Sequence, residues 1–553
     1  MPLVCYPVSA LEKVFIDEQP APYPQHIPLT ALKNELISFQ IAATWTKPCL
    51  QQRKLLWVDI SCPLPFTLRR VEQVPVRYPC QPESDNNYLR KTPGLYPDAL
   101  SVVDTGKPVP VYAGQWCSLW VDLEIDTQTR SGEYSFHISF RDEHGCRMGE
   151  TEQVFCVIDA ILPLQTLIHT RWLHTDALVD AYDVPMFSHE HFDILDRFIS
   201  LAVKRGVNMM LVPTHTPPLD TRQGGERRTA QLVDISYSDG QYRFGFDKLR
   251  RYIAICKRAG VTYYEIAHLF SQWGAYHPPK IIANVDGKET QLFGWSSDAI
   301  STEYQSFLAA YLPALIEELK SLEIAQHCYF HISDEPNKDQ ITQYRAAKNM
   351  VLPYLEGMPV IDAMSDFCFY DDGTIEHPVP ALDHLDPFLN ANVDGLWTYY
   401  CVGQSRDVSN TFIAMPSSRT RILGLQLYIY GIKGFLQWAY NYFYAQYSDY
   451  YVNPWNITDA DGFAPAGDAF QVYPGKDRHP VESLRLVVFF HALQDLRALQ
   501  AIEAAYGREK ALDFIGEGLE RLPTLTEYPR DSDYILSLRF KINNALEKAA
   551  SYN

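Results

Sequence analysis

The sequence lacks an excess of positive charge, a paired-cysteine motif and a long apolar run. Its 48 Lys and Arg stand against 67 Asp and Glu, a formal net charge of -19, which opposes binding to nucleic acid or to an anionic membrane surface. The 11 cysteines are odd in number and scattered, with no C-x-x-C pair, so neither a disulfide framework nor a zinc ribbon is expected. The opening stretch MPLVCYPVSALEKVFIDEQP has neither the basic n-region nor the apolar h-region of an export signal, and no run is long enough to span a bilayer. The expectation is a cytoplasmic protein that takes a neutral ligand, without membrane insertion. Metal-ligand spacing is missing too. No H-x-H or H-E-x-x-H relates His174, Asp176, His215 and His268, which makes a metal-dependent hydrolase the weaker alternative and calls for no cofactor.

What is present is length and aromatic surface. The 553 residues exceed one ordinary core, and 13% of them are aromatic, with 35 tyrosines; flat rings fill cores and also stack on sugars. Residues 1–165 read as an all-β unit, a β-sandwich, because short alternating runs are separated by Pro, Gly, Asn and Asp. The run Trp116–Ile125 followed by alternating Tyr134, Phe136, Ile138 and Phe140 predicts a hairpin with one buried face. From 166 to 505 strands alternate with amphipathic helices, the pattern of a (β/α)8 TIM-type barrel. The eight expected strands lie near 168–174, 207–212, 261–268, 328–333, 359–364, 395–400, 434–440 and 469–473. Residues 506–553 form a C-terminal helical segment.

Catalytic groups of such barrels lie at the C-terminal strand ends. The fourth expected strand ends in His331-Ile332-Ser333-Asp334-Glu335-Pro336, an apolar run breaking into two adjacent carboxylates. Partial burial raises one pKa of such a pair and leaves the other charged. Pro336 is expected to hold Glu335 extended. Other strand ends offer His268 and Trp273, Trp397 and Tyr399, and Trp438 and Tyr440 as sugar-contacting residues. One proton donor in an aromatic-walled bowl suits glycoside hydrolysis, but the usual retaining scheme needs a second carboxylate about 5 Å away. The strand holding Trp438 has no acid until Asp449. A sugar carrying a 2-acetamido group supplies its own nucleophile, so Asp334 and Glu335 suffice as amide-orienting residue and acid/base.

These residues also resemble a known family. His331-Ile332-Ser333-Asp334-Glu335-Pro336, Trp397-Thr398-Tyr399-Tyr400, the run Gly431–Trp438 and the segment Gly467–Gly475 are similar to glycoside hydrolase family 123. The resemblance implies a β-sandwich ahead of a barrel and exo-acting, retaining β-N-acetylhexosaminidase activity, foremost on N-acetylgalactosamine. It also implies Glu335 as acid/base and Asp334 as the residue orienting the acetamido group. The partner called for is a glycan or short oligosaccharide; no oligomeric state is assigned. A carbohydrate-binding protein without catalysis is the other alternative, and the intact acid pair argues against it.

Overall fold

The computed structural model describes residues 3–45 and 53–551. Strands up to Ile161 form two stacked sheets. One has seven strands and contains Leu3–Ser9, Glu35–Trp45, Trp116–Ile125, Phe66–Val76 and Gly94–Val102; the other has five and contains Leu29–Lys33, Arg147–Ile161, Gly132–Arg141, Arg53–Ser61 and Val109–Tyr112. Inward residues at every second position, such as Phe39, Ile41, Leu119 and Val121 from one sheet and Phe136, Ile138 and Phe140 from the other, share one apolar core. The expected hairpin is not formed. Trp116–Ile125 pairs with Glu35–Trp45 and Phe66–Val76, whereas Gly132–Arg141 pairs with Arg147–Ile161 and Arg53–Ser61. Alternation marks a buried face but not the neighbouring strand, and here consecutive strands face each other across the core.

Beyond this layer eight short parallel strands carry the chain forward, labelled here β1 (Ile168–Arg171), β2 (Met209–Val212), β3 (Tyr263–Ile266), β4 (Cys328–Phe330), β5 (Ile361–Ala363), β6 (His377–Val379), β7 (Trp397–Tyr400) and β8 (Gly434–Gln437). The pairing order β4-β3-β2-β1-β8-β7 makes one sheet and β5-β6 another. Single parallel bridges, Phe330 to Val360 and Ala381 to Tyr399, join the two. Helices such as His189–Lys204, Asp247–Ala259, Thr302–Ser321 and Ile341–Val351 lie between successive strands, their apolar faces turned inward.

Strand membership differs from the expected set in one place. Residues 469–473 do not supply a parallel strand: Val472–Pro474 folds back antiparallel on Pro480–Ser483, which joins Gly94–Val102 in the seven-stranded sheet. The strand overlooked is β6, three residues long with Pro378 at its centre, too short for any periodicity to register. Multiple sheets of mixed type therefore make this a multidomain α/β protein. After the long helix Leu484–Tyr506, the helices Arg508–Gly516 and Ser532–Ser551 complete the chain. No helix among the described residues is long and apolar enough to cross a membrane.

Candidate active site

The chain leaving β4 is pinned from both sides. Leu269, Phe270 and Trp273 donate their N–H groups to the carbonyls of His331, Ile332 and Asp334 at 2.9–3.0 Å, and Glu335 donates its own to the Ala363 carbonyl at 3.0 Å. The last bond turns Glu335 into the left-handed region at φ 46°, not the extended conformation expected before a proline. The right-handed region is disfavoured there by Pro336, and the neighbouring strand end dictates the rest. Asp220, Trp273, Ala275, Tyr447 and Ser448 also have positive φ, between 39° and 62°. Strain of this kind persists only where surrounding structure enforces it, and three of these residues, Asp220, Trp273 and Glu335, line one cavity.

That cavity, about 560 Å³ and open to solvent, is lined by Asp334 and Glu335 together with Trp172, Trp273, Tyr399 and Trp438, and also by Asp220, Gln272 and Cys401. Glu335 is half-buried, and its Oε1 accepts a hydrogen bond from the Tyr399 hydroxyl at 2.6 Å. Burial, then the charge of Glu335, keeps the Tyr399 phenol well above its ordinary pKa, so it remains a donor. Asp334 lies deeper, 5% exposed. Its Oδ2 accepts from Gln272 Nε2 at 2.8 Å, and the Gln272 side-chain Oε1 in turn accepts from the Asp220 N–H. Burial and then the neighbouring Glu335 charge push the Asp334 carboxyl well above the usual range, against the pull of Gln272 and His331. The two adjacent carboxyls interact strongly, and Asp334 is the one whose proton affinity is raised.

Under the floor, His331 bonds through Nδ1 to Asp362 at 3.1 Å and through Nε2 to Glu265 at 3.0 Å, all three with no exposed surface. Burial pulls the imidazole down, but the two carboxylates outweigh it and bring it up to about 9, so the ring is cationic at neutral pH. Asp362 also accepts from the Tyr344 hydroxyl at 2.6 Å and the Ile332 N–H at 3.1 Å. Trp172 donates to Glu265 at 3.1 Å, tying a cavity wall to the same cluster. Trp438 donates from its indole to Asp468 at 3.0 Å; burial pushes that acid up to about 7.

Three residues expected to touch substrate lie elsewhere. His268 is fully buried with its ring stacked on His331 at 4.2 Å, below the floor. Trp397 opens β7 at the end far from the cavity, packed on Tyr329 and over Gly434. Tyr399, two residues on and on the same strand face, is the one that reaches the mouth. Tyr440 points outward to the helix His189–Lys204, its hydroxyl bonded to the Phe198 carbonyl at 3.2 Å. The residues missed were Trp172, Asp220, Gln272 and Glu265. Glu265 had a signal, a charge inside the apolar run Tyr264–Ile266; Asp220 and Gln272 sit in loops with no periodicity to place them.

The residues of a metal reading do not converge. Asp176 is held by Arg227 at 2.7 Å, and His215 Nε2 bonds to the His268 carbonyl at 2.8 Å. His268, His331 and Asp362 bring possible ligand atoms within 4.8 Å of one another. Both His331 nitrogens are already engaged by carboxylates, and stacked rings direct their in-plane lone pairs side by side rather than to a common point.

The sequence profile described as "Glycoside hydrolase 123, catalytic domain" matches residues 172–502, more than half of the chain, and takes in β2 to β8 but not β1. The chain belongs to glycoside hydrolase family 123. It is thus a glycoside hydrolase, and its substrate is a glycan. Among solved structures, a family 123 glycoside hydrolase from Clostridium perfringens, studied for glycolipid glycan hydrolysis, superimposes with a TM-score of 0.74 at 14% identity, covering 100% of this chain and 99% of that one. That likeness extends the shared fold to the stacked sheets and the C-terminal helices. β-Glucuronidases from Parabacteroides merdae (TM-score 0.31, 9% identity, 82% of this chain and 50% of that one) and Bifidobacterium dentium (0.30, 10%, 89% and 66%) are far more distant. No curated protein sequence matches this family 123 chain.

Proposed function

We propose that this family 123 enzyme is an exo-acting, retaining β-N-acetylhexosaminidase, foremost a β-N-acetylgalactosaminidase, working by substrate assistance. The observation that carries the reading is that two consecutive carboxyls open into one cavity with different partners, Asp334 deep and held by Gln272, Glu335 at the mouth and held by Tyr399. The cyclic order of parallel pairings supports a (β/α)8 barrel over residues 166–505, preceded by a β-sandwich over 1–165 and followed by a helical segment over 506–553. Both acids then lie at the C-terminal end of its fourth strand, where catalytic groups of such barrels sit.

A bound 2-acetamido sugar donates its amide N–H to Asp334. That bond, and the positive charge developing beside it, favour the charged form of Asp334 and leave the proton of the pair to Glu335. Glu335 then protonates the glycosidic oxygen as the amide oxygen attacks the anomeric carbon, and the leaving alcohol departs from an oxazolinium ion. Glu335, now charged, takes a proton from water, which adds to the same carbon and opens the ring. Trp172, Trp273 and Trp438 give the sugar apolar walls.

Asp220 favours one specific rival. It is a third carboxylate on the cavity, and as an enzyme nucleophile it would make the acetamido group dispensable. Against that, one of its oxygens already receives the Tyr442 hydroxyl and the Tyr447 N–H, and burial raises its pKa, which weakens it as a nucleophile. Proton NMR of p-nitrophenyl β-N-acetylgalactosaminide hydrolysis tests the reaction: the β-anomer should appear first. Initial release of the α-anomer would end both retaining schemes.

A further inference from the structure

Three arginines are only 1% exposed, and two of them are matched by carboxylates: Arg485 by Asp98 at 2.7 Å and Arg419 by Asp85 at 2.9 Å. The third, Arg171, is not. Thr170 and Trp172 turn toward Glu265 under the cavity, so Arg171 between them turns the other way, against the helix Leu484–Tyr506. Its guanidinium lies over the Phe489 ring, 4.2 Å from the centroid. Among the described residues none of its three nitrogens has a hydrogen-bond partner. A guanidinium keeps its proton at any ordinary pH, and a buried charge without a partner costs more than one ring face returns.

The surroundings add donors and positive potential but no counter-charge. In the pairing of β1, β8 and β7, Arg171, Gln437 and Tyr400 stand at one level. Gln437 is engaged by backbone, its amide donating to the Asp468 carbonyl at 3.2 Å and its oxygen accepting the Ala439 N–H at 2.9 Å. The Tyr400 hydroxyl has no hydrogen-bond partner; burial raises its pKa against the pull of Arg171 beside it, so it stays a donor. His169, two residues back on the same face as Arg171, donates from Nδ1 to the Gly206 carbonyl at 3.0 Å, and burial keeps the ring uncharged. Asp468 turns to the Trp438 indole and feels the charge of Arg485, not that of Arg171. Arg485 is the second residue of the helix Leu484–Tyr506, whose positive dipole end lies there as well.

Five N–H bonds and a phenolic O–H without an acceptor among them call for an anion. The charge left over is a single one, because Asp98 neutralises Arg485. The remaining walls are apolar: Phe435 packs on Tyr400 at 4.9 Å and on Phe489 at 5.4 Å. A small monovalent ion suits such a place, whereas sulfate or another dianion would leave a buried negative surplus.

We propose that Arg171 and Tyr400 bind a buried chloride ion between the strands β1 and β7 and the helix Leu484–Tyr506. Trp172, which follows Arg171, and Tyr399, which precedes Tyr400, line the catalytic cavity on the opposite face. The ion braces from behind two strands that carry the active site, whichever glycoside is cleaved.

Two measurements on the full chain test it. Crystals of the parent grown in sodium bromide should show an anomalous difference peak in hydrogen-bond contact with the Arg171 guanidinium. In solution, replacing sodium gluconate by sodium chloride at constant ionic strength should raise the thermal midpoint of the parent, each tenfold of chloride above its dissociation constant adding about tenfold to the folding equilibrium constant. Arg171→Met needs no counter-ion and should melt at the same temperature in both salts. An absent bromide peak, a water oxygen in its place, equal midpoints for the parent, or a chloride effect that survives Arg171→Met overturns the proposal. Should the variant not fold, the bromide peak and the parent's salt response decide it.

Discussion

Where the stacked sheets meet the helix His189–Lys204, Arg69 and Arg205 are buried against Asp122 and Glu482; under the cavity, Asp334, Asp362 and Glu265 are buried around one cation, His331. In the first cluster two guanidiniums meet two carboxylates, and Asp122 gains further bonds at 2.6 Å from Ser38 and Trp120. Burial pushes both acids up there, yet the arginines overcome it, and both titrate below their ordinary range. In the second cluster burial prevails and Asp334 and Asp362 are both raised. The same chemistry thus gives a neutral knot that fixes the packing of two regions, and a site left short of positive charge that must hold a proton. A perturbed acid on a cavity wall is what proton transfer requires.

Breaking the second cluster at its mouth should show in rate and not in stability. Glu335→Gln should lower kcat on an aryl 2-acetamido glycoside by about 10²–10⁴-fold, with the thermal midpoint unmoved. Breaking the first should do the reverse. Arg69→Met strands Asp122 and Glu482 beside a single guanidinium and should cost about 3–5 kcal/mol in denaturant unfolding, while kcat at low temperature stays near that of the parent. A large rate loss without destabilisation in this variant would erase the contrast.

A finer test uses pH. The Asp334 carboxyl binds its proton more tightly in the folded chain than in the unfolded one, so the folded state holds the extra proton and stability falls as pH rises from about 4 towards neutrality. Asp334→Asn removes that dependence. Thermal midpoints measured between pH 4 and 7 should coincide at the acid end and diverge in favour of the variant as pH rises; parallel curves would mean that Asp334 is charged in the free enzyme. The smallest effect is expected from Gln272→Leu, which takes one hydrogen bond from Asp334 and should lower kcat by about tenfold, a loss within the range for one bond to a charged group. It should also move the proton affinity of Asp334 further up, read as a shift of the acid limb of the pH profile.

The sequence made the acid pair legible because two charges ending an apolar run have few structural uses, and Trp273, Tyr399 and Trp438 because aromatic strand ends face a common mouth. Trp397 failed for a reason of reach. It shares a face with Tyr399, but only the residue nearer the strand end arrives at the cavity, and sequence does not say where a four-residue strand stops. His268 failed one layer down, where a ring that could serve a ligand serves the floor instead. The strand β6 was hidden by its brevity and its proline, and the run at 469–473 was assigned to the parallel set because alternation does not name a partner. Asp220 and Gln272 come to the site through loops whose path is set by bonds such as Tyr442 to Asp220, which join residues 222 positions apart.

Substrate assistance is tested most directly by comparing purified enzyme on two aryl β-galactosides that differ only at carbon 2, one bearing an acetamido group and one a hydroxyl. If the amide oxygen is the nucleophile, the hydroxyl sugar should be cleaved more slowly by about 10³-fold or more, the scale set by positioning a reactant within the molecule. Equal rates would contradict the mechanism and transfer the nucleophile to the protein, with Asp220 the first residue to replace.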